Sequence, residues 1–278
     1  MNVSGLLFGT AGVPLRCKER SVISGIPEVR HLGLDVMELE FVRQITVAKE
    51  KAAIVREASQ KNDVLLTCHA PYYINLNSFD NAKLEASKKR ILDSARIASL
   101  CGAWSVCFHP GFYQGGDKKK VYEKIVCSVK EIVKTLKNEN ISIWLRPETT
   151  GKASAFGDIY ELIQLSSEVH GVLPCVDFAH LHARSNGLFN SANEVHEVLS
   201  LVEKKLGREA LNNMHIHYNG IKYSEKGELH HLIFEESDAD WHAVIDGWKD
   251  FKIKGAVISE SPNIEEDALL MQRYWKTL

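Results

Sequence analysis

No stretch of the 278-residue sequence approaches the roughly 20 consecutive apolar residues that span a bilayer. The first residues also lack the charged start and small-residue cleavage site of a secretory signal. A soluble protein of the cytoplasm, with no membrane partner, is therefore expected. Charge of one sign is missing too, because 34 Lys and Arg stand against 36 Asp and Glu, a formal net charge of −2. Without a global basic field, a nucleic-acid partner would have to be held by a local patch or by bound metal ions. The run Lys118, Lys119 and Lys120 reads as a solvated helix start. The cysteines Cys17, Cys68, Cys101, Cys107, Cys127 and Cys175 include no C-x-x-C spacing. They read as reduced, buried small hydrophobes and give little support to a structural thiolate site. No Pro/Gly/Ser-rich linker, low-complexity tract or composition shift divides the chain, so residues 1–278 read as one domain.

What the sequence does have is alternation. Strand-like runs cover residues 3–9, 35–41, 64–70, 104–110, 141–147, 172–178, 213–218 and 255–260. Between them lie helical patterns such as 118–138, where Val121, Ile125, Val129, Ile132, Val133 and Leu136 make an inner stripe. Eight strands with intervening helices predict an α/β fold, a single-domain (β/α)8 TIM barrel, with an open doubly wound sheet as the structural alternative. Two segments break the pattern, a loop over 177–190 and the polar stretch 219–237. Both follow strands, and 219–237 reads as a loop insertion after the seventh strand on the active-site face.

The sequence has 12 histidines, many of them just after an apolar run. Strand three ends in His69, strand four in His109, strand five in Glu148, strand six in Asp177 followed by His180, strand seven in His215 and His217, and strand eight in Glu260. A lone histidine at a strand end is more often a hydrogen-bonding residue than a ligand. Donors at the same end of six successive strands are another matter, because a barrel makes those ends converge on one pocket. Imidazole and carboxylate donors suit zinc or manganese. So many donors suit more than one ion, with Glu148 placed to bridge two. Glu38 and Glu40 alternate with apolar neighbours and read as polar groups of the barrel interior or rim. No Ser-His-Asp or Cys-His arrangement demands a side-chain nucleophile, and no organic cofactor is expected.

The segment His69-Ala70-Pro71-Tyr72-Tyr73-Ile74-Asn75 resembles the His-x-x-Tyr-x-Ile-Asn segment of the endonuclease IV family, zinc-dependent apurinic/apyrimidinic endonucleases of the xylose-isomerase-like barrel superfamily. Asp177-Phe178-Ala179-His180 is similar to the family's Asp-Thr-x-His motif. The resemblance spans nearly the whole chain. It implies three zinc ions, with manganese admissible at some sites. His69 and His109 would bind one, Glu148 would bridge it to a second completed by Asp177, His215 and Glu260, and His180 would bind the third. Glu148 is the implied catalytic residue. The implied reaction is attack by a zinc-activated water on the phosphodiester 5′ to an abasic site in double-stranded DNA, leaving a 3′-hydroxyl and a 5′-deoxyribose phosphate. The implied enzyme is a monomer.

The sequence departs from the family after strand seven. The family's Asp-x-His pair is replaced by Glu228-Leu229-His230-His231, in which Glu228 stands for the Asp and either histidine could be the ligand, His231 being favoured. His-Leu-Asn-Asp becomes His215-Ile216-His217-Tyr218, so His217 is an alternative ligand facing the same pocket as His215. Tyr72 and Asn75 are the implied DNA contacts. Arg43, in a loop shorter than the family's DNA-inserting one, is a further candidate, with a surface arginine as the ordinary reading. A sugar isomerase or epimerase with one divalent metal is the rival function, since Glu148, Asp177, His215 and Glu260 alone would serve it. A non-catalytic zinc- or DNA-damage-binding barrel is a third reading.

Overall fold

The computed structural model describes residues 3–278. Eight parallel strands form the centre: β1 (Leu6–Ala11), β2 (Val36–Glu40), β3 (Leu65–His69), β4 (Ser105–Phe108), β5 (Trp144–Pro147), β6 (Cys175–Asp177), β7 (Met214–His217) and β8 (Gly255–Ser259). Their hydrogen-bonded order runs β5-β4-β3-β2-β1-β8-β7-β6. Two isolated parallel bridges, Leu145 to Val172 and Glu148 to Cys175, join the remaining edges. The ring therefore closes, as the (β/α)8 reading expects, and the doubly wound alternative is excluded. The closing strands are shorter than their apolar runs suggest. Only Trp144–Pro147 and Cys175–Asp177 are in ladders, because β5 and β6 meet by single bridges.

Alternation along each strand sends one set of side chains outward to the helices and the other into the lumen. Outward residues such as Phe8, Met37, Leu39, Leu66, Val106, Phe108, Ile216 and Val257 join one continuous core with the inner faces of the helices. Each such side chain, fully buried, contributes roughly 1.5–3 kcal/mol. Helix α1 (Asn81–Cys101) is started by Asp80, whose carboxylate accepts from the Ala82 and Lys83 amides, and is ended by Gly102 in the left-handed region. Helix α2 (Lys118–Asn138) buries Val121, Ile125, Val129, Ile132 and Leu136 of the stripe read from the sequence, with Val133 partly buried at its edge. Among the described residues no helix is long and apolar enough to cross a membrane.

The lumen is layered. Val36, Trp104, Ala256 and Ile258 form a small apolar cluster apart from the main core. Towards the C-terminal end the inward positions become polar, with buried Glu38, Thr67, Arg146 and His215, then His69, Glu148, Asp177 and His217. Burying so many polar groups costs stability unless they are paired or hold a ligand.

Neither segment that broke the strand-helix pattern is an open loop. Residues Phe178–Arg184 form a short helix, α3, capped by Asp177, whose Oδ1 accepts from the His180 amide at 2.7 Å. The stretch 219–237 folds into an antiparallel hairpin, Gly220–Ser224 against Gly227–Leu232, followed by a 3-10 turn.

Candidate metal centre

The ladder register sets which inward residues share a height. Asp177 lies opposite His217 and Cys175 opposite His215. The upper level therefore brings Asp177, His217, Glu148 and Glu260 together, and their ligand atoms form one group that could hold a metal ion. Glu148 is the hub. One of its oxygens, Oε2, lies 3.2 Å from His69 Nε2 and 3.4 Å from His109 Nε2. The other, Oε1, lies 3.3 Å from His217 Nδ1 and 3.4 Å from His180 Nδ1.

Several rings are fixed in one tautomer. His69 Nδ1 donates to the Ala70 carbonyl at 2.6 Å, His180 Nδ1 to the Thr149 carbonyl at 2.9 Å, and His231 Nδ1 to the Glu260 carbonyl at 3.1 Å. A carbonyl only accepts, so each Nδ1 carries a hydrogen, and each Nε2 is turned towards the carboxylates of the cleft. A carbonyl behind the ring is how metal-bound imidazoles are commonly oriented. His180 Nε2 lies 3.4 Å from Glu228 Oε2, and His180, Glu228 and His231 form a second group.

The hairpin puts Glu228 and His231 on one side although they are three residues apart. Its register shifts between Lys222 and Tyr223, which pair with His230 and Glu228 and leave Leu229 as an extra residue. This bulge restores a shared face that strict alternation would deny. The hairpin docks closely, with the Glu228 amide donating to the Gly151 carbonyl at 3.0 Å.

Burial opposes charge on Glu148, yet His109 and His217 beside it, with hydrogen bonds from His180 and His217, hold its carboxyl well below the usual range. Burial also works against a proton on His69, but the hydrogen bond and charge of Glu148 push that group up to about 10. Burial pushes Asp177 up to about 7, helped by Glu148 and Glu260 and opposed by His180. Asp177 Oδ2 is buried with no hydrogen-bond partner. This oxygen, the Nε2 atoms turned towards carboxylates and the N/O donor set fit divalent metal ions.

A model of the family described as xylose isomerase-like TIM barrel matches residues 26–278. The chain belongs to that family. An uncharacterized protein of Methanocaldococcus jannaschii is 40% identical over 273 residues, 98% of each chain. A Streptomyces coelicolor protein described as a probable endonuclease 4 is 27% identical over 168 residues, 58% of this chain and 56% of that one. Among solved structures, a D-tagatose 3-epimerase-like protein has a TM-score of 0.72 at 17% identity, covering 96% of each chain. Endonuclease IV from Thermus thermophilus has a TM-score of 0.70 at 18% identity, covering 97% of this chain and 100% of that one. At these identities the two structures speak to the fold alone.

Within this xylose isomerase-like barrel, the positions read from sequence fall as follows. His69, His109, Glu148, Asp177, His180, Glu228, His231 and Glu260 converge around one cleft. His215 does not. It lies one level deeper, 3.1 Å from Glu38 Oε2 and 3.1 Å from Ser105 Oγ, and His217 takes the place expected of it. His230 points away from the cleft and is exposed, because it is the outward residue beside the bulge. Tyr72 stands half-exposed on the rim, its ring 5.4 Å from that of His69. The Asn75 side chain ties its loop to the one after β4, accepting from the Asn77 amide at 3.0 Å and donating to Gln114 at 3.2 Å. Arg43 is exposed in the loop after β2. The cleft above the centre, about 270 Å³, is lined by Tyr72, His109, Phe112, Lys152 and His231 among others.

Cys107 and Cys175 gained no role from the sequence, yet both line the lumen beside His215 and His217. The available signal was positional: each lies two residues before an inward donor, His109 and Asp177.

Proposed function

We propose that this protein is a zinc-dependent phosphodiesterase that cuts double-stranded DNA 5′ to an abasic site, leaving a 3′-hydroxyl and a 5′-deoxyribose phosphate, and that it acts as a monomer. The observation that carries this reading is the surplus of donors. A single-metal sugar enzyme needs only Glu148, Asp177, His217 and Glu260. Here His69 and His109 face the other oxygen of Glu148, and His180, Glu228 and His231 form a further group.

His69, His109 and Glu148 would hold one zinc, with Glu148 shared by a second in the Asp177, His217 and Glu260 group. His180, Glu228 and His231 would hold a third. Bound zinc supplies Lewis acidity and brings the pKa of water towards neutrality. Glu148 keeps its charge in this setting and so can orient groups on both of its sides. Asp177 fixes the start of α3 and with it the His180 backbone. Tyr72 and Phe112, exposed on the rim, offer ring faces to an unstacked nucleotide. Arg43 and Lys152, both exposed, would meet phosphates.

A sugar epimerase with one divalent metal is the second reading, favoured by the self-sufficient group Glu148, Asp177, His217 and Glu260 and by the likeness in fold to an epimerase-like protein. Two assays on zinc-loaded protein separate the readings. One follows incision of an abasic duplex with and without chelator; the other follows interconversion of ketohexoses. Incision lost on chelation supports the nuclease, and sugar turnover without incision overturns it.

A further inference from the structure

Beneath the upper level, four buried side chains present ligand atoms within reach of one another: Cys107, Cys175, His215 and His217. The two cysteines come from strands separated by β5, so no local turn brings them together. The barrel register does, pairing Cys175 with His215 and Cys107 with Arg146. His215 Nδ1 is held by Ser105 Oγ at 3.1 Å, which leaves Nε2 pointing into the lumen. That atom is buried 3.1 Å from Glu38 Oε2. Glu38 Oε1 lies 2.9 Å from His217 Nε2. A single buried carboxylate thus gathers both imidazoles beside the two thiols, a dense set of donors in one dry cluster.

His217 faces both levels. Its Nδ1 lies towards Glu148 and Glu260, at 3.3 and 3.5 Å, while its Nε2 lies 3.7 Å from Cys107 Sγ. Bonds of about 2.3 Å to sulfur and about 2.0–2.1 Å to nitrogen at a tetrahedral angle put the two ligand atoms about 3.6 Å apart. The Cys107–His217 spacing is that of a tetrahedron edge. Charge is balanced as well. Two thiolates and Glu38 carry three negative charges, which a divalent ion and the buried Arg146 beside both cysteines would offset.

We propose that Cys107, Cys175, His215 and the Nε2 of His217 form a second, structural metal site inside the barrel, specific for a thiophilic divalent ion such as zinc. Filling it turns both thiols into thiolates and releases their two protons to solvent as two metal–sulfur bonds form. With Nε2 in this site the His217 ring keeps its hydrogen on Nδ1, facing Glu148; filling the upper group through Nδ1 as well would release this third proton to solvent and leave an imidazolate shared by the two levels. The proposal stands apart from the nuclease reading, since the site can fill whether or not the cleft above cuts DNA.

X-ray absorption at the zinc edge of the fully loaded protein tests it. A zinc–sulfur shell at about 2.3 Å is expected beside the nitrogen and oxygen shell. It should persist in Cys127→Ser, which alters an exposed cysteine, and vanish in the double variant Cys107→Ser/Cys175→Ser together with about one zinc per chain. A loaded wild-type spectrum with no sulfur shell overturns the proposal. So does a shell that survives the double substitution. If that variant does not fold, the single change Cys175→Ser, with half the sulfur contribution expected, and the wild-type spectrum decide the matter.

Discussion

His217 Nδ1 lies 3.3 Å from Glu148 Oε1, while His215, on the same strand and the same face, lies too deep to join the Glu148 group. The two histidines therefore do different things. His217→Ala is expected to lower incision of an abasic duplex by more than about 100-fold. His215→Ala is expected to fall within about 10–100-fold, the range for groups that act on a metal through other ligands. Steady-state kinetics on both variants checks the order, and a larger loss in His215→Ala would contradict it.

Glu148→Gln keeps the shape of the hub and removes its charge. With one buried anion gone among His69, His109, His180 and His217, a fall in turnover on the order of 10²–10³-fold is expected. Native mass spectrometry should show fewer bound ions. Near-normal turnover with full metal content would refute the hub assignment.

Much of this was legible in the sequence. The strand-helix alternation predicted the barrel, and strand-end donors such as His69, His109, Glu148 and Asp177 marked the cleft. His215 and His217 could not be separated, because a two-residue period turns both inward and only ladder register fixes their heights. The hairpin was hidden for a similar reason: no pattern in Glu228-Leu229-His230-His231 announces that Leu229 is a bulge. Nor did the sequence tell that the Asn75 amide is taken up by Asn77 and by Gln114 of the loop after β4.

The hairpin's seat depends on a missing side chain. A Cβ at Gly151 would come 2.6 Å from Glu228 Cβ and 3.1 Å from His180 Cδ2. Gly151→Ala is expected to cost about 1–3 kcal/mol, and roughly 2–4 °C of Tm for each kcal/mol. It should also weaken binding of the ion at His180, Glu228 and His231. Gly5→Ala, where nothing lies within 4 Å, is the control. Calorimetry with metal counting reads both effects, and unchanged stoichiometry in Gly151→Ala would count against the third group.

Zinc uptake should depend on pH in a set direction. In the metal-free protein His69 holds its proton up to about 10, through Glu148, instead of releasing it near the ordinary imidazole value. An entering ion must displace that proton, so affinity is expected to rise with pH until about 10 and binding at neutral pH to release protons. Titration calorimetry in buffers of different ionisation enthalpy measures the release. Binding at pH 7 with no proton released would contradict this protonation state.

The most direct test of the proposed function is single-turnover incision of a duplex carrying one synthetic abasic site by zinc-loaded protein, read on a gel that resolves fragment ends. One cut is expected, immediately 5′ to the abasic sugar, with an extendable 3′-hydroxyl on the upstream fragment, no cut in undamaged duplex and none after chelation. An abasic duplex left whole by protein whose metal sites are filled would contradict the account.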